Sequence, residues 1–577
     1  MAGKTVHLET FGCQMNELDS ELVRSQLLAL GYRFVDSPEG ADVVLYNTCS
    51  VRDHAEQKVR SRLGEIAKGR GGSEGAGAVV GVLGCMAERD GVKLTQRHPV
   101  VDILCGPGEL DKLPALLDNA VRTRDALLAD GDVTARGGDA PARAAQAKQI
   151  ALQGNTSRRS STLSAAGDNL EMLDLSRAIS PTDHNGSAYV RITRGCNKFC
   201  TYCVVPHTRG AEMHRPPDHI VDECRRLADA GVIEVTLLGQ TVNHYRFEHG
   251  AAVTLNGITQ PQKGRPHKGP QGEACHRPSS SMVGAFGTGS TDRSGQRSVA
   301  RVTTFADLLK RIHDEVPAIQ RLRFVTSYPR DFGDDVLEVI RDSPRICRYL
   351  HVPAQTGSDS QLKAMNRGYT VGEYLEFIDR ARGSLDQPEI GRPLMIAGDI
   401  IVGFSGETED DFQATLRLLE RVRYKNCFIF KYSPRPGTTA YDRLPDDVPE
   451  DVKRRRNNEA LAVQGRISDE ISSAQIGRTL DVFVEGVSAR ERKKQKRAAQ
   501  SGVISLTIGG GEPQAADRDA EPEAAGPIQL ASRTDGDLLV LFDAPSGSAP
   551  DDLIGKIIPV RITSANTVTL FGEITPG

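Results

Sequence analysis

The sequence predicts an α/β protein in three parts: an N-terminal open parallel sheet with covering helices, a central partial (β/α)6 barrel, and a C-terminal small antiparallel β-barrel. Three observations predict it. Over residues 4–121, strand-like runs at 6–10, 42–46, 78–83 and 100–104 alternate with amphipathic stretches at 16–30 and 55–68, the pattern of parallel strands joined by helices. From residue 187, strands at 188–193, 234–238, 321–326, 349–352, 394–402 and 427–432 are interleaved with helical patterns at 218–230, 305–315, 334–341, 371–382 and 409–423. Beyond 474 the chain changes to apolar-polar alternation over 479–484, 538–542, 557–562 and 567–573, as in a small β-barrel.

The parts are expected at 4–121, 182–445 and 474–577, with a charged connecting helix at 446–473 that carries Lys453, Arg454, Arg455 and Arg456. Residues 122–180, rich in Ala, Arg, Ser and Gly, read as a flexible linker. Two insertions are expected. Residues 248–298 are low in complexity and contain Cys275 and His276; residues 488–527 are polar and carry Arg490, Arg492, Lys493, Lys494, Lys496 and Arg497. A basic insertion on a small barrel suits nucleic acid or merely adds a solvated face, and the residues alone leave both readings open.

Bulk properties exclude several classes. In 577 residues, 72 Lys and Arg face 76 Asp and Glu, a net charge of -4, so nucleic acid must be met by local patches. No apolar run is long enough to cross a bilayer and the first residues lack a signal-peptide pattern, so a cytoplasmic location is expected. Eleven cysteines in such a chain point to reduced thiols that bind metal or clusters.

Ligands of parallel α/β folds gather at the carboxyl ends of the strands. After the first barrel strand comes Cys196-x3-Cys200-x2-Cys203, three thiols within eight residues. Three thiolates hold three corners of an iron-sulfur cube and leave one iron open to a substrate. Cys224 falls in a helix and does not close the site locally. The alternative is zinc with His207 or His214 as fourth ligand. In the N-terminal part Phe11-Gly12-Cys13, Asn47-Thr48-Cys49 and Leu83-Gly84-Cys85 each follow a strand, so parallel neighbours would bring three more thiols to one sheet edge. The bland reading is ordinary buried cysteine. Cys105 also follows a strand and is either a spare thiol or a fourth ligand. Other barrel strand ends offer Gly239 and Gln240, Ser327, Gln355, and the turn at 403–407; glycine there lets backbone approach a flat cofactor.

With these residues in place, the chain resembles the methylthiotransferase family of radical S-adenosylmethionine enzymes, in its tRNA-modifying branch. The matching stretches are Gly12-Cys13-Gln14-Met15-Asn16, Asn47-Thr48-Cys49-Ser50-Val51-Arg52, Gly84-Cys85-Met86-Ala87, Arg194 through Pro206, Leu237-Leu238-Gly239-Gln240, Met365-Asn366-Arg367-Gly368-Tyr369-Thr370 and Tyr432 through Thr438. The resemblance implies two [4Fe-4S] clusters, one on Cys196, Cys200 and Cys203 that cleaves S-adenosylmethionine and an auxiliary one on Cys13, Cys49 and Cys85, leaving Cys105 outside. It implies that Tyr202 lies near the cofactor and that the C-terminal barrel is an RNA-binding TRAM domain. It further implies methylthiolation of carbon 2 of N6-dimethylallyladenosine beside the tRNA anticodon, with one S-adenosylmethionine as methyl donor and a second as radical source. That hydrogen has no useful acidity, so general-base chemistry cannot remove it. A low-potential electron donor, no membrane and a monomeric state go with this reading.

The chain departs from the family at Ala211 and Met213, where Arg is usual, and at Thr241, Gly398 and Ser405. Alternative readings are methylthiolation of threonylcarbamoyladenosine in tRNA or of a ribosomal-protein aspartate, and a non-catalytic metal- and RNA-binding protein.

Overall fold

The computed structural model describes residues 3–50, 53–69, 78–129, 148–152, 169–179, 185–265, 301–501, 527–545 and 547–575. The N-terminal sheet has six parallel strands in the order Arg33–Phe34, Thr5–Phe11, Val43–Thr48, Val79–Gly84, Ile103–Cys105, Gln149–Ala151. Alternating side chains go to opposite faces. Val43 and Leu45 pack with Leu18, Leu22 and Leu117 of helices Gln14–Ala29 and Leu113–Ala129, whereas Val44, Tyr46 and Val82 pack with Val59, Leu63 and Leu94 on the other side. Each such Val or Leu burial is worth about 1.5–3 kcal/mol, so both faces need their helices.

The segment expected as a linker, 122–180, is partly built into this domain. Its first residues extend helix Leu113–Ala129, Gln149–Ala151 becomes the edge strand, and Asn169–Leu175 is a helix whose Leu170 and Leu173 join the core. A three-residue strand and a two-turn helix carry too little periodicity to be legible in an Ala- and Ser-rich background.

The central domain is a six-stranded, all-parallel open barrel. Ser187–Arg191, Glu234–Leu238 and Arg321–Phe324 form one run; Tyr349–His351, Met395–Val402 and Asn426–Lys431 form the other. They join where Cys347 N–H donates to Leu322 O at 3.0 Å and Ser327 N–H to His351 O at 3.0 Å. Three covering helices, Phe305–Glu315, Val371–Leu385 and Glu409–Val422, start with a capping box of Thr304 and Asp307, Thr370 and Glu373, and Thr408 and Asp411, which satisfies otherwise orphaned N–H groups. The insertion expected at 248–298 begins later: Arg246–Glu248 pairs with Val302–Thr304, and a hairpin and a short strand occupy residues up to Lys263. Cys275 and His276 lie outside the described residues.

The connecting helix is Glu450–Ser473. Five strands then close a barrel in the order Thr479–Val487, Gln529–Thr534, Leu539–Asp543, Thr569–Ile574, Ile557–Ala565. Its pairs are antiparallel except the seam between Leu539–Asp543 and Thr569–Ile574, which is parallel. The expected polar insertion starts as a helix, Ala489–Ser501. This small barrel docks on the amino ends of the central strands: Arg321 donates to Arg533 O and Asp481 O at 2.7 and 2.6 Å, Arg323 to Asp535 O at 3.1 Å, and Lys425 pairs with Asp537 at 2.7 Å. Among the described residues no helix is long and apolar enough to cross a membrane.

A buried ionic network fastens the N-terminal sheet to the central domain. Arg191 bridges Asp19 and Asp174 at 3.2 and 2.7 Å, Arg209 meets Asp19 at 2.8 Å, and Arg215 holds Glu171 and Glu223 at 2.9 and 2.8 Å. Burial disfavours the Glu171 carboxylate, but Arg215, His219 and Arg194 together outweigh it and bring the group down to about 2. Glu171→Gln is expected to cost about 3–5 kcal/mol by breaking the buried pair with Arg215, which keeps Glu223 and Asp174, read as a lower urea midpoint by circular dichroism. Asp379→Asn, which breaks the half-exposed pair with Arg421, is expected to cost under about 1 kcal/mol. Since the folded-state value lies below the unfolded one, the Glu171 contribution is present above pH 4.5 and fades as pH falls toward 2.

Candidate functional site

Two groups of three thiols meet at one end of the molecule. In the N-terminal sheet the register aligns Phe11 with Thr48 and Thr48 with Gly84, so Cys13, Cys49 and Cys85 leave three neighbouring strands at the same level. The turns are tight. A Cβ on Gly12 would stand 2.6 Å from the Cys49 Cβ, and one on Gly84 only 2.4 Å from Asn47 Oδ1, both glycines having positive φ. Asn16 and Asn47 brace the turns through an amide bond of 3.0 Å, and Cys13 Sγ reaches Asn16 Oδ1 at 3.2 Å. The hydrogen bond with the Cys49 thiol, helped by the Arg209 charge and against burial, pulls the Cys13 thiol down to about 6.

Cys105 is not part of this group. Its thiol sits in the apolar core of the sheet and donates to Glu109 O at 3.2 Å, and burial pushes it strongly up.

At the carboxyl end of the first barrel strand, Gly195 (φ 67°) opens the loop that carries Cys196, Cys200 and Cys203; a Cβ there would lie 2.1 Å from Ala211 O. Lys198 N–H donates to Cys196 Sγ at 3.4 Å, and the Thr241 hydroxyl lies 3.7 Å from the same sulfur. The loop is tied to the barrel by Thr201 N–H to Met365 O at 3.0 Å, Asn366 to Phe199 O at 3.0 Å, and Ala440 N–H to Thr201 O at 2.8 Å. Burial, with the nearby Glu212 charge, pushes Cys196 up to about 12; burial also raises Cys203.

Arg367 was not among the residues singled out, although it lies in a matching stretch. It is buried, donates to Cys200 Sγ and the Tyr202 hydroxyl at 3.5 Å each, to Pro353 O at 2.8 Å and to the Tyr369 hydroxyl at 3.0 Å, and lies 4.9 Å over the Tyr328 ring. No carboxylate pairs with it among the described residues. A buried cation without a counter-charge is costly, and a thiolate at Cys200 would supply one.

The two thiol groups are adjacent. Directly after Cys203, the turn Val205–Thr208 packs on helix Cys85–Asp90. The Thr208 hydroxyl reaches Cys85, and the Arg209 charge acts on both Cys13 and Cys85.

Tyr202 packs edge-on against Phe404, with ring centroids 6.3 Å apart. Gly239 is buried where a Cβ would come within 2.1 Å of Thr193 Oγ1, and Gln240 beside it is half-buried. Gln355 holds φ 77° while its backbone bonds Asp399 and Ile401. Thr193 Oγ1 and Ser327 Oγ, buried at two strand ends, have no hydrogen-bond partner among the described residues, as expected where a polar ligand belongs.

Among the described residues only Glu212, His214 and His244 bring three ligand atoms within 4.8 Å. That trio is internally satisfied: His214 Nδ1 accepts the Arg246 N–H at 3.2 Å, which leaves Nε2–H for Glu212 at 3.4 Å, and His244 Nδ1 meets Glu212 at 2.6 Å. Both ring nitrogens of His214 are therefore engaged by protein groups.

Residues 190–419 match the radical SAM superfamily and residues 5–106 the family described as Uncharacterized protein family UPF0004. Fold and match together define a radical S-adenosylmethionine enzyme with an added N-terminal thiol-bearing domain. A tRNA-2-methylthio-N(6)-dimethylallyladenosine synthase of Rhodopirellula baltica is 38% identical over 571 residues, 99% of this chain and 95% of that protein. The synthase of Phocaeicola vulgatus is 35% identical over 570 residues, 99% and 96% of the two chains. Among solved structures, the radical S-adenosylmethionine methyltransferase TsrM of Kitasatospora setae aligns with TM-score 0.43 and 16% identity over 76% of this chain and 77% of that one. The chain belongs to the tRNA-2-methylthio-N(6)-dimethylallyladenosine synthase family.

Proposed function

We propose that this protein methylthiolates carbon 2 of N6-dimethylallyladenosine in tRNA, with one [4Fe-4S] cluster on Cys196, Cys200 and Cys203 and another on Cys13, Cys49 and Cys85. The observation that carries this reading is the adjacency of two three-thiol groups, joined through residues 204–209, in a chain related over its whole length to synthases of that name. When bound, the first cluster supplies an electron to the sulfonium of S-adenosylmethionine and the second presents sulfur.

The residues of the chain do the rest. Six thiols must lose their protons on loading, and Arg367 and Arg209 favour the resulting negative charge. Tyr202 and Phe404 wall the cofactor side, and Gly239 lets backbone approach it. Gln240, Gln355, Thr193 and Ser327 offer polar groups at the strand ends. A tight, water-poor pocket matters because a carbon radical is quenched by any accessible donor. An external low-potential electron donor and action as a cytoplasmic monomer complete the proposal.

Threonylcarbamoyladenosine and a ribosomal aspartate are less favoured, since the relatives compared are named for dimethylallyladenosine. The test is anaerobic assay of the loaded protein with dithionite, S-adenosylmethionine and tRNA bearing dimethylallyladenosine, followed by nucleoside mass spectrometry. The methylthio nucleoside is expected; its absence from that tRNA, with product on threonylcarbamoyladenosine tRNA, would sink the reading.

A further inference from the structure

The helix Ala489–Ser501, where a polar insertion was expected, has no fold-derived reason to carry its charges. Its sequence ARERKKQKRAAQS offers alanine as the only apolar residue type, so no apolar face holds it to the barrel. Ser488 Oγ accepts the Glu491 N–H at 3.3 Å and caps it. Arg490, Arg492, Lys493 and Lys494 are exposed. They also repel: Arg490 and Lys494 stand four residues apart, the spacing at which like charges weaken a helix. Six cations against one acid within 13 residues, in a chain of net charge -4, make a local positive spike that a polyanion would relieve.

In the ladder between Thr479–Val487 and Gln529–Thr534, Val482 pairs with Thr534 beside the turn that docks on the central domain, whereas Val487 pairs with Leu530 at the other end. The helix springs from that other end. An anionic bilayer is the poorer match, because helices that lie on membranes need an apolar face to bury. A phosphate backbone needs only cations.

We propose that the Ala489–Ser501 helix grips the phosphate backbone of the substrate tRNA, away from the base that reacts. This rests on the tRNA reading above. The four exposed cations Arg490, Arg492, Lys493 and Lys494 suit sequence-independent contact, so they anchor the RNA without choosing the nucleoside. The experiment uses the full-length, cluster-loaded protein, with Arg490→Gln, Arg492→Gln, Lys493→Gln and Lys494→Gln combined. Binding of fluorescently labelled tRNA is followed by anisotropy over about 50–200 mM KCl.

The variant is expected to bind tRNA at least about ten-fold more weakly at low salt, with a slope of log K against log salt smaller by roughly three, four lost contacts at about 0.7–0.9 each. KM for tRNA should rise in step. A single Glu491→Lys change, which adds a cation to the same helix, is expected to tighten binding. An affinity and slope equal to wild type overturn the proposal. So does a loss of affinity for phosphatidylserine vesicles with tRNA binding intact. A wild type that neither binds nor modifies tRNA sinks the functional reading and this inference together; a wild type that does both, matched by the variant, sinks only the inference.

Discussion

Cys85→Ala is expected to yield a protein that makes no methylthio product, less than about a thousandth of the wild-type rate or some 4 kcal/mol in barrier, yet still cleaves S-adenosylmethionine. The separation follows from placement. Cys85 starts a helix of the N-terminal domain, and Cys196, Cys200 and Cys203 sit on a loop of the central one. Removing a thiol from the first group leaves every tie of the second in place: Thr201 to Met365, Asn366 to Phe199, Ala440 to Thr201. Cys203→Ala is expected to do the reverse and abolish both 5'-deoxyadenosine and methylthio product. Liquid chromatography of both products from one reaction checks the pair, and loss of both in Cys85→Ala would refute the division of labour.

The second large effect is expected at Arg367. Its charge is buried against Cys200, Tyr202, Tyr328 and Tyr369 with no carboxylate among the described residues. With anionic sulfur ligands in place the cation is compensated; without them it is not. Arg367→Met should therefore weaken iron retention at the radical site and slow S-adenosylmethionine cleavage by about 10–100-fold, the usual cost of losing a partner behind metal ligands. In the iron-free protein the same change should leave thermal stability unchanged or raise it, because an uncompensated buried charge is gone. Arg367→Lys should fall between. A variant destabilised equally with and without iron would mean that Arg367 only packs.

What the sequence disclosed follows the strength of local signals. Six thiols were legible because three share the C-x3-C-x2-C spacing of one loop and three each follow a strand, and two of the N-terminal turns need glycine, as the contacts of 2.6 and 2.4 Å at Gly12 and Gly84 explain. Their convergence was legible only through the alternation of strands and helices. Cys105 carried the same strand-end signal, and its place in the apolar core with its bond to Glu109 O separates it. Arg367 lies about 165 residues from the thiols it serves, a distance no local pattern bridges. Strand Gln149–Ala151 and helix Asn169–Leu175 were hidden because tertiary packing, not propensity, makes them. The helix Ala489–Ser501 was read as a polar insertion because charge hides helical period when no face is apolar.

Iron counted against substitution tests the central claim most directly. After anaerobic loading, the wild type should hold about eight irons and eight sulfides per chain. The triple variants Cys13→Ala/Cys49→Ala/Cys85→Ala and Cys196→Ala/Cys200→Ala/Cys203→Ala should each hold about four, as expected for one four-iron cluster per three-thiol group. A wild type that saturates at about four irons, or that carries zinc at either group, would contradict the account.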